Sequence, residues 1–178
     1  MLKKIVWYWN LMHYNVYQGF NSFFRLINYI NPISYIDKVP YIKRFYEKKG
    51  ISDFKAFVGD IASNPKSGFN RLQAGALMVG LSVLLVFGAF NCSQILFTIS
   101  LGDLVLKNGT SENLFNLFLV TTSLLFNYFT LFKGSKCLKY FKEFDEMDAS
   151  EKTKYYWISL VVVLSIMTFF IYSFKFTR

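Results

Sequence analysis

Residues Leu72–Gly102 read LQAGALMVGLSVLLVFGAFNCSQILFTISLG, thirty-one positions without a single Asp, Glu, Lys, Arg or His. The heart of the run, Ala74–Phe90, contains almost nothing but aliphatic, aromatic and small side chains. As a helix the whole run would be about 46 Å long at roughly 1.5 Å per residue, against a hydrocarbon core of about 30 Å. A helix of that length tilts, protrudes or breaks, and Gly88 with Asn91 is the expected weak point. Two more uncharged runs follow, Asn113–Phe132 and Tyr155–Phe174. Each is about the twenty residues that a membrane crossing needs.

The sequence therefore predicts an all-α integral membrane protein. Three transmembrane helices, at about 72–98, 113–132 and 155–174, form a domain over 72–178. Residues 1–71 precede it as an amphipathic, basic, aromatic-rich helical region. Only 17% of the chain is charged and 53% is hydrophobic, whereas soluble domains carry about 25% charge. Thr110 or Ser111 is the expected N-cap of the second span. Asp148-x-x-Glu151 before the third resembles a capping box with Asp as the cap. Tyr155, Tyr156 and Trp157, with Trp7 and Trp9 near the N-terminus, are the expected membrane-interface residues.

The net charge of +9 has a clear distribution. Lys and Arg number 11 in residues 1–71, one in 103–112, six in 133–154 and two in 175–178. By the positive-inside rule the N-terminal region and the 133–154 loop lie on the cytoplasmic or equivalent side, and the C-terminus on the opposite side. Lys outnumbers Arg 16 to 4, an AT-rich coding bias that suits a bacterial inner membrane or an organellar one. No cleavable leader is visible after Lys3 and Lys4. Cys92 and Cys137 fall at opposite membrane faces in this topology, too far apart for a disulfide. Basic charge alone suggests nucleic acid, but no zinc spacing, RNP-like strand or helix-turn-helix accompanies it, so nucleic-acid binding is not expected.

The N-terminal region reads as short helices. From Ile5 to Phe24 there is no charge, and Asn10, His13, Gln18, Asn21, Arg25 and Asn28 fall within roughly 140° of a helical wheel at about 100° per residue. Trp9, Val16, Phe20, Phe23 and Ile27 lie outside that arc. The helix suits the bilayer interface; a fourth span, with the N-terminus outside, is the alternative. Asn31-Pro32 ends it. Pro40 opens a short basic helix to about Lys49, closed by Gly50. Ser52 is the expected cap of another, and Asn64–Gly68 is a loop into the first span.

No catalytic or cofactor-binding constellation appears. The chain has one histidine, His13, read as a hydrogen-bonding interfacial residue, and neither phosphate-loop motif is present. The acidic cluster Glu143, Asp145, Glu146, Asp148 and Glu151 lacks calcium-loop spacing and reads as a solvated helix end. No metal or cofactor is expected. Asn108-Gly109-Thr110 is a weak glycosylation sequon. The spans themselves hold no ionisable residue, which argues against a proton-coupled transporter.

Polar stripes remain. Gln73, Ala76, Gly80, Asn91 and Gln94 share a face of the first span. Asn116, Ser123, Asn127 and Thr130 share one of the second, and Ser165, Thr168 and Tyr172 one of the third. Small residues let helices approach and amides bond across the contact, so these are helix-packing or pore-lining candidates, with Ala76-x-x-x-Gly80 a small-x-x-x-small motif. The expected function is a non-catalytic accessory or scaffold subunit of a larger membrane protein complex. The alternative is a self-assembling pore or membrane-perturbing effector. The expected partners are the lipid bilayer and other membrane subunits or copies of the same chain.

Overall fold

A computed structural model describes residues 2–30, 39–97 and 109–176. All the regular structure in them is helical: α1 (Leu2–Ile30), α2 (Pro40–Glu47), α3 (Phe54–Ser63), α4 (Phe69–Phe97), α5 (Gly109–Asn127), α6 (Lys136–Asp145) and α7 (Ala149–Ser173). Three segments are long and apolar enough to cross a membrane, namely Phe69–Ser93, Asn113–Asp145 and Ala149–Ser173. The chain divides into two compact units, one of residues 1–12 with 76–178 and one of residues 13–75.

The larger unit is built on α4, α5 and α7. Its core holds Trp9, Met12, Met78, Leu81, Leu131 and Ile166, with Leu84, Leu85, Phe132 and Val163 against them. Towards the C-terminal end of α7 an aromatic group closes the bundle. Phe87 lies 5.7 Å from Phe170 and 5.9 Å from Phe174, and Phe90 lies 4.3 Å from Phe115, between ring centroids. Of the three expected outcomes a break does not occur: α4 runs through the expected weak point at Gly88 and Asn91 to Phe97. Gly88 is where the α7 ring of Phe169 approaches the α4 backbone; a Cβ there would meet that ring at 2.7 Å. Asn91 donates from Nδ2 to Ser173 Oγ at 3.1 Å. Both features join helices and neither interrupts one.

The second span ends differently from its sequence reading. Past Asn127 the helix widens into a π-turn over Tyr128–Phe132, closed by the Lys133 N–H on the Tyr128 carbonyl. The widening leaves carbonyls to be met from elsewhere. Lys136 Nζ donates to Phe129 O at 2.8 Å, and Asn10 Nδ2 donates to Thr130 O at 3.0 Å. Gly134 (φ 67°) and Ser135 (φ 55°) then turn the chain through the left-handed region. That region comes at no steric cost to glycine and is uncommon for serine. Much of the expected 133–154 loop is helical: α6 buries Cys137, Phe141 and Phe144 and exposes Lys139 and Lys142.

The expected caps fare differently. α5 starts at Gly109, so Thr110 and Ser111 sit inside its first turn. Asp148 does occupy the N-cap of α7, but its side chain makes no capping bond. Asp53, not Ser52, caps α3, accepting from the Ala56 N–H at 2.9 Å. Cys92 and Cys137 are free thiols.

In the smaller unit, α2 ends through Gly50 (φ 78°), with Ile51 N–H donating to Tyr46 O at 3.0 Å. Such a left-handed residue satisfies the last carbonyls of a helix. The Asn64–Gly68 turn leads into α4. Lys66 N–H donates to Asn64 Oδ1 at 2.8 Å. A Cβ on Gly68 would meet Asn64 N at 2.6 Å and Ala62 O at 2.7 Å, so the turn needs glycine.

Candidate packing and interaction surfaces

The polar and small residues of the helix stripes in the large unit fall into two sets, one enclosed and one exposed. Asn127, at 0% exposure, is the hub of the inward set. Its Oδ1 accepts from Trp9 Nε1 at 3.0 Å, and its Nδ2 donates to Ser82 Oγ at 2.7 Å and to Ser123 O at 2.8 Å. A carboxamide away from water needs such partners, since an unpaired polar group in an apolar medium costs several kcal/mol, roughly 2–7. Thr130 is buried and its hydroxyl donates to Phe126 O at 2.7 Å. Ser123 is buried with Asn127, and Asn91 with Ser173. Asn10 Oδ1 and Ser123 Oγ are enclosed without a hydrogen-bond partner.

The outward set comprises Ala76 and Gly80 on α4, Asn116 on α5, and Ser165, Thr168 and Tyr172 on α7, all exposed. A Cβ added at Gly80 would meet nothing within 4 Å, so among the described residues no helix approaches closely at Gly80. Ser165 is self-satisfied, its hydroxyl donating to Val161 O at 2.8 Å. Gln73 is half-buried. Gln94 lies outside the described side chains, and Asn108 of the sequon outside the described residues. The stripes that looked alike in sequence are therefore split: part of the second span's turns in with Asn91, while the third span's turns out entirely.

The interface aromatics divide too. Tyr156 and Trp157 are exposed near the start of α7. Tyr155 is half-buried, its ring 5.4 Å from that of Trp7, whose Nε1 donates to Glu143 Oε1 at 2.8 Å. Trp9 is a core residue, buried and edge-on to Phe126 at 5.2 Å. Its indole N–H is consumed by Asn127, and that bond removes the reason for it to seek a headgroup.

The polar arc of α1 is partly enclosed. Asn10, His13 and Asn21 are buried, whereas Leu2, Ile5, Tyr8, Phe23, Leu26 and Ile27 are exposed. Arg25 remains exposed and Gln18 half-buried. Partners within the chain take up part of that arc. In the smaller unit Asn70 Nδ2 donates to Asn21 Oδ1 at 2.8 Å, and Tyr17 donates its phenolic hydrogen to Ser63 O. His13, outside the three apolar segments, has its pKa lowered from 6.5 to about 4. Burial is the chief cause; a hydrogen bond to the Arg71 backbone raises it, and the Arg71 charge lowers it further.

Sequence reasoning passed over Ser82 and Ser173, which receive the two carboxamides. A signal existed for Ser82: it is the sole hydroxyl between Ala74 and Phe90, and a carboxamide in an apolar span has to find a polar group somewhere. Among the described residues no group of three or more His, Cys, Asp or Glu side chains is placed to hold a metal ion. Comparison with protein-family models, with curated proteins and with solved structures finds no match for this chain.

Proposed function

We propose that this protein is a non-catalytic accessory or scaffold subunit of a larger membrane protein complex, attached through the outward faces of its apolar helices. The observation that carries the reading is the exposure of Ser165 and Thr168 well inside α7, together with Ala76 and Gly80 on α4. Of the three apolar segments α7 is the least covered by its own chain. Small residues admit a neighbouring helix closely and hydroxyls bond across the contact, whereas lipid rewards neither. The inward polar set supports a scaffold by a different route, since it fixes the bundle before any partner arrives.

A pore of identical subunits would draw on the same stripes. Asn91 and Asn127, its best lining candidates, are engaged within one chain, which leaves that reading Asn116 and the α7 stripe. The test is gentle detergent extraction from native membranes, with native mass analysis and identification of what co-migrates. A defined set of different subunits is the expected result. A closed ring of one chain would move the assignment to a pore, and a partnerless monomer would overturn both.

A further inference from the structure

The described residue stretch 39–50 has a surface that the accessory reading leaves unused. α2 buries none of its residues. Continued at about 100° per residue through the C-cap Lys48 into the turn that follows α2, Arg44, Lys48, Tyr41, Phe45 and Lys49 fall in that order across roughly 140°. All five are exposed, with Tyr41 at 82% and Phe45 at 51%. Two aromatic rings thus stand between two cations on one side and one on the other. Lys49 Nζ lies 4.8 Å over the Phe45 ring. The helix's one acid, Glu47, lies outside this arc and is already paired with Lys43 at 4.0 Å. Ile42 and Tyr46 face the rest of the unit: both are half-buried, and Tyr46 stacks on Phe54 at 4.1 Å. One turn apart on α3, Phe57 and Ile61 add exposed apolar surface.

We propose that this face of α2 docks on the anionic headgroups of a phospholipid leaflet, with Tyr41 and Phe45 entering the acyl boundary and Arg44, Lys48 and Lys49 meeting phosphates. The charge argues for the occupant. A ridge of aromatics alone suits any apolar partner, but flanking cations without an acid among them suit a surface that is apolar below and negative above. Long basic side chains lay their stems along the apolar layer and keep their heads at the phosphates. The proposal rests on the membrane setting of the reading above and is independent of any partner subunit.

The experiment uses the full-length protein in vesicles of phosphatidylcholine alone and of phosphatidylcholine mixed with phosphatidylglycerol, with amide hydrogen exchange followed over residues 39–50. Resistance to alkaline carbonate extraction is checked first; extraction from both vesicles would remove the membrane setting and the proposal with it. In the inserted protein, exchange over 39–50 is expected to slow when phosphatidylglycerol is present and to recover in high salt. Arg44→Gln, Lys48→Gln and Lys49→Gln together are expected to abolish that slowing. Each cation near an anionic surface shifts docking about fivefold, so the three together shift it on the order of a hundredfold. All three are exposed, and unchanged exchange within α4 and α7 would show that the fold survives. Equal protection in both vesicles, or lipid-dependent protection that survives the triple substitution, overturns the proposal. So does protection that appears only on adding RNA or native membrane proteins.

Discussion

Asn127 and Thr168 are both polar side chains inside apolar helices, and they do opposite jobs. Asn127 is enclosed and joins α1, α4 and α5 through Trp9, Ser82 and its own helix. Thr168 stands on the exposed side of α7 with Ser165 and Tyr172. The contrast shows that polarity in an apolar span marks a contact without saying whose. Where the partner lies within the chain the residue holds the fold. Where it does not, the residue is available to something else. The two classes should respond to substitution in different assays.

The largest effect is expected from the inward class and from pH. His13 is neutral in the fold, its pKa held at about 4, whereas the unfolded chain titrates near 6.5. Because the folded value is depressed, the contribution is complete above pH 6.5 and drains away as pH falls towards about 4. The full loss is about 3 kcal/mol. Thermal unfolding in detergent micelles over that window should show the midpoint falling, with a flatter profile in His13→Gln. A wild-type midpoint independent of pH would place the ring among solvated groups. Next is Asn127→Ala, which strands the Trp9 indole N–H and removes the partner of Ser82. The expected cost is about 2 kcal/mol, read as a lower midpoint. Gly88→Ala follows at about 1 kcal/mol. Its new Cβ meets Phe169, but the end of an aromatic side chain can swing aside where backbone could not.

Much of this was legible in the residues, and the parts that were not share a cause. The three spans were visible because lack of charge over twenty residues is a one-dimensional signal. Helix ends were less visible. The π-turn at Tyr128–Phe132 has no composition signature, and it depends on Asn10 and Lys136 arriving from elsewhere to take the freed carbonyls. The polar arc of α1 is visible in the residues, and three of its members, Asn10, His13 and Asn21, are enclosed. A helical wheel gives a face but not what covers it, and the covering of Asn21 comes from Asn70, far along the chain. The stripes failed for the same reason: periodicity placed Ser165, Thr168 and Tyr172 together, while the choice between inside and outside belonged to packing. Trp9 shows the limit most plainly, because an indole suits a headgroup layer or a buried carboxamide equally well.

The smallest effect on the isolated chain, and the sharpest test of the division, lies in the outward class. Ser165→Leu with Thr168→Leu exchanges two exposed hydroxyls for side chains at home against lipid. Ser165 gives up only its bond to Val161 O within its own helix, and such back-bonds slightly disfavour a helix. The midpoint in micelles should therefore stay within about 0.5 kcal/mol of the original. In native membranes the same pair should lose its place in the high-mass fraction, and so should Ala76→Ile with Gly80→Ile, whose new side chains fill the space a neighbouring helix would need. If the Leu pair lowered the micellar midpoint as far as Asn127→Ala does, α7 would be packing through that face within one chain. The distinction between residues that hold the fold and residues that await a partner would then collapse.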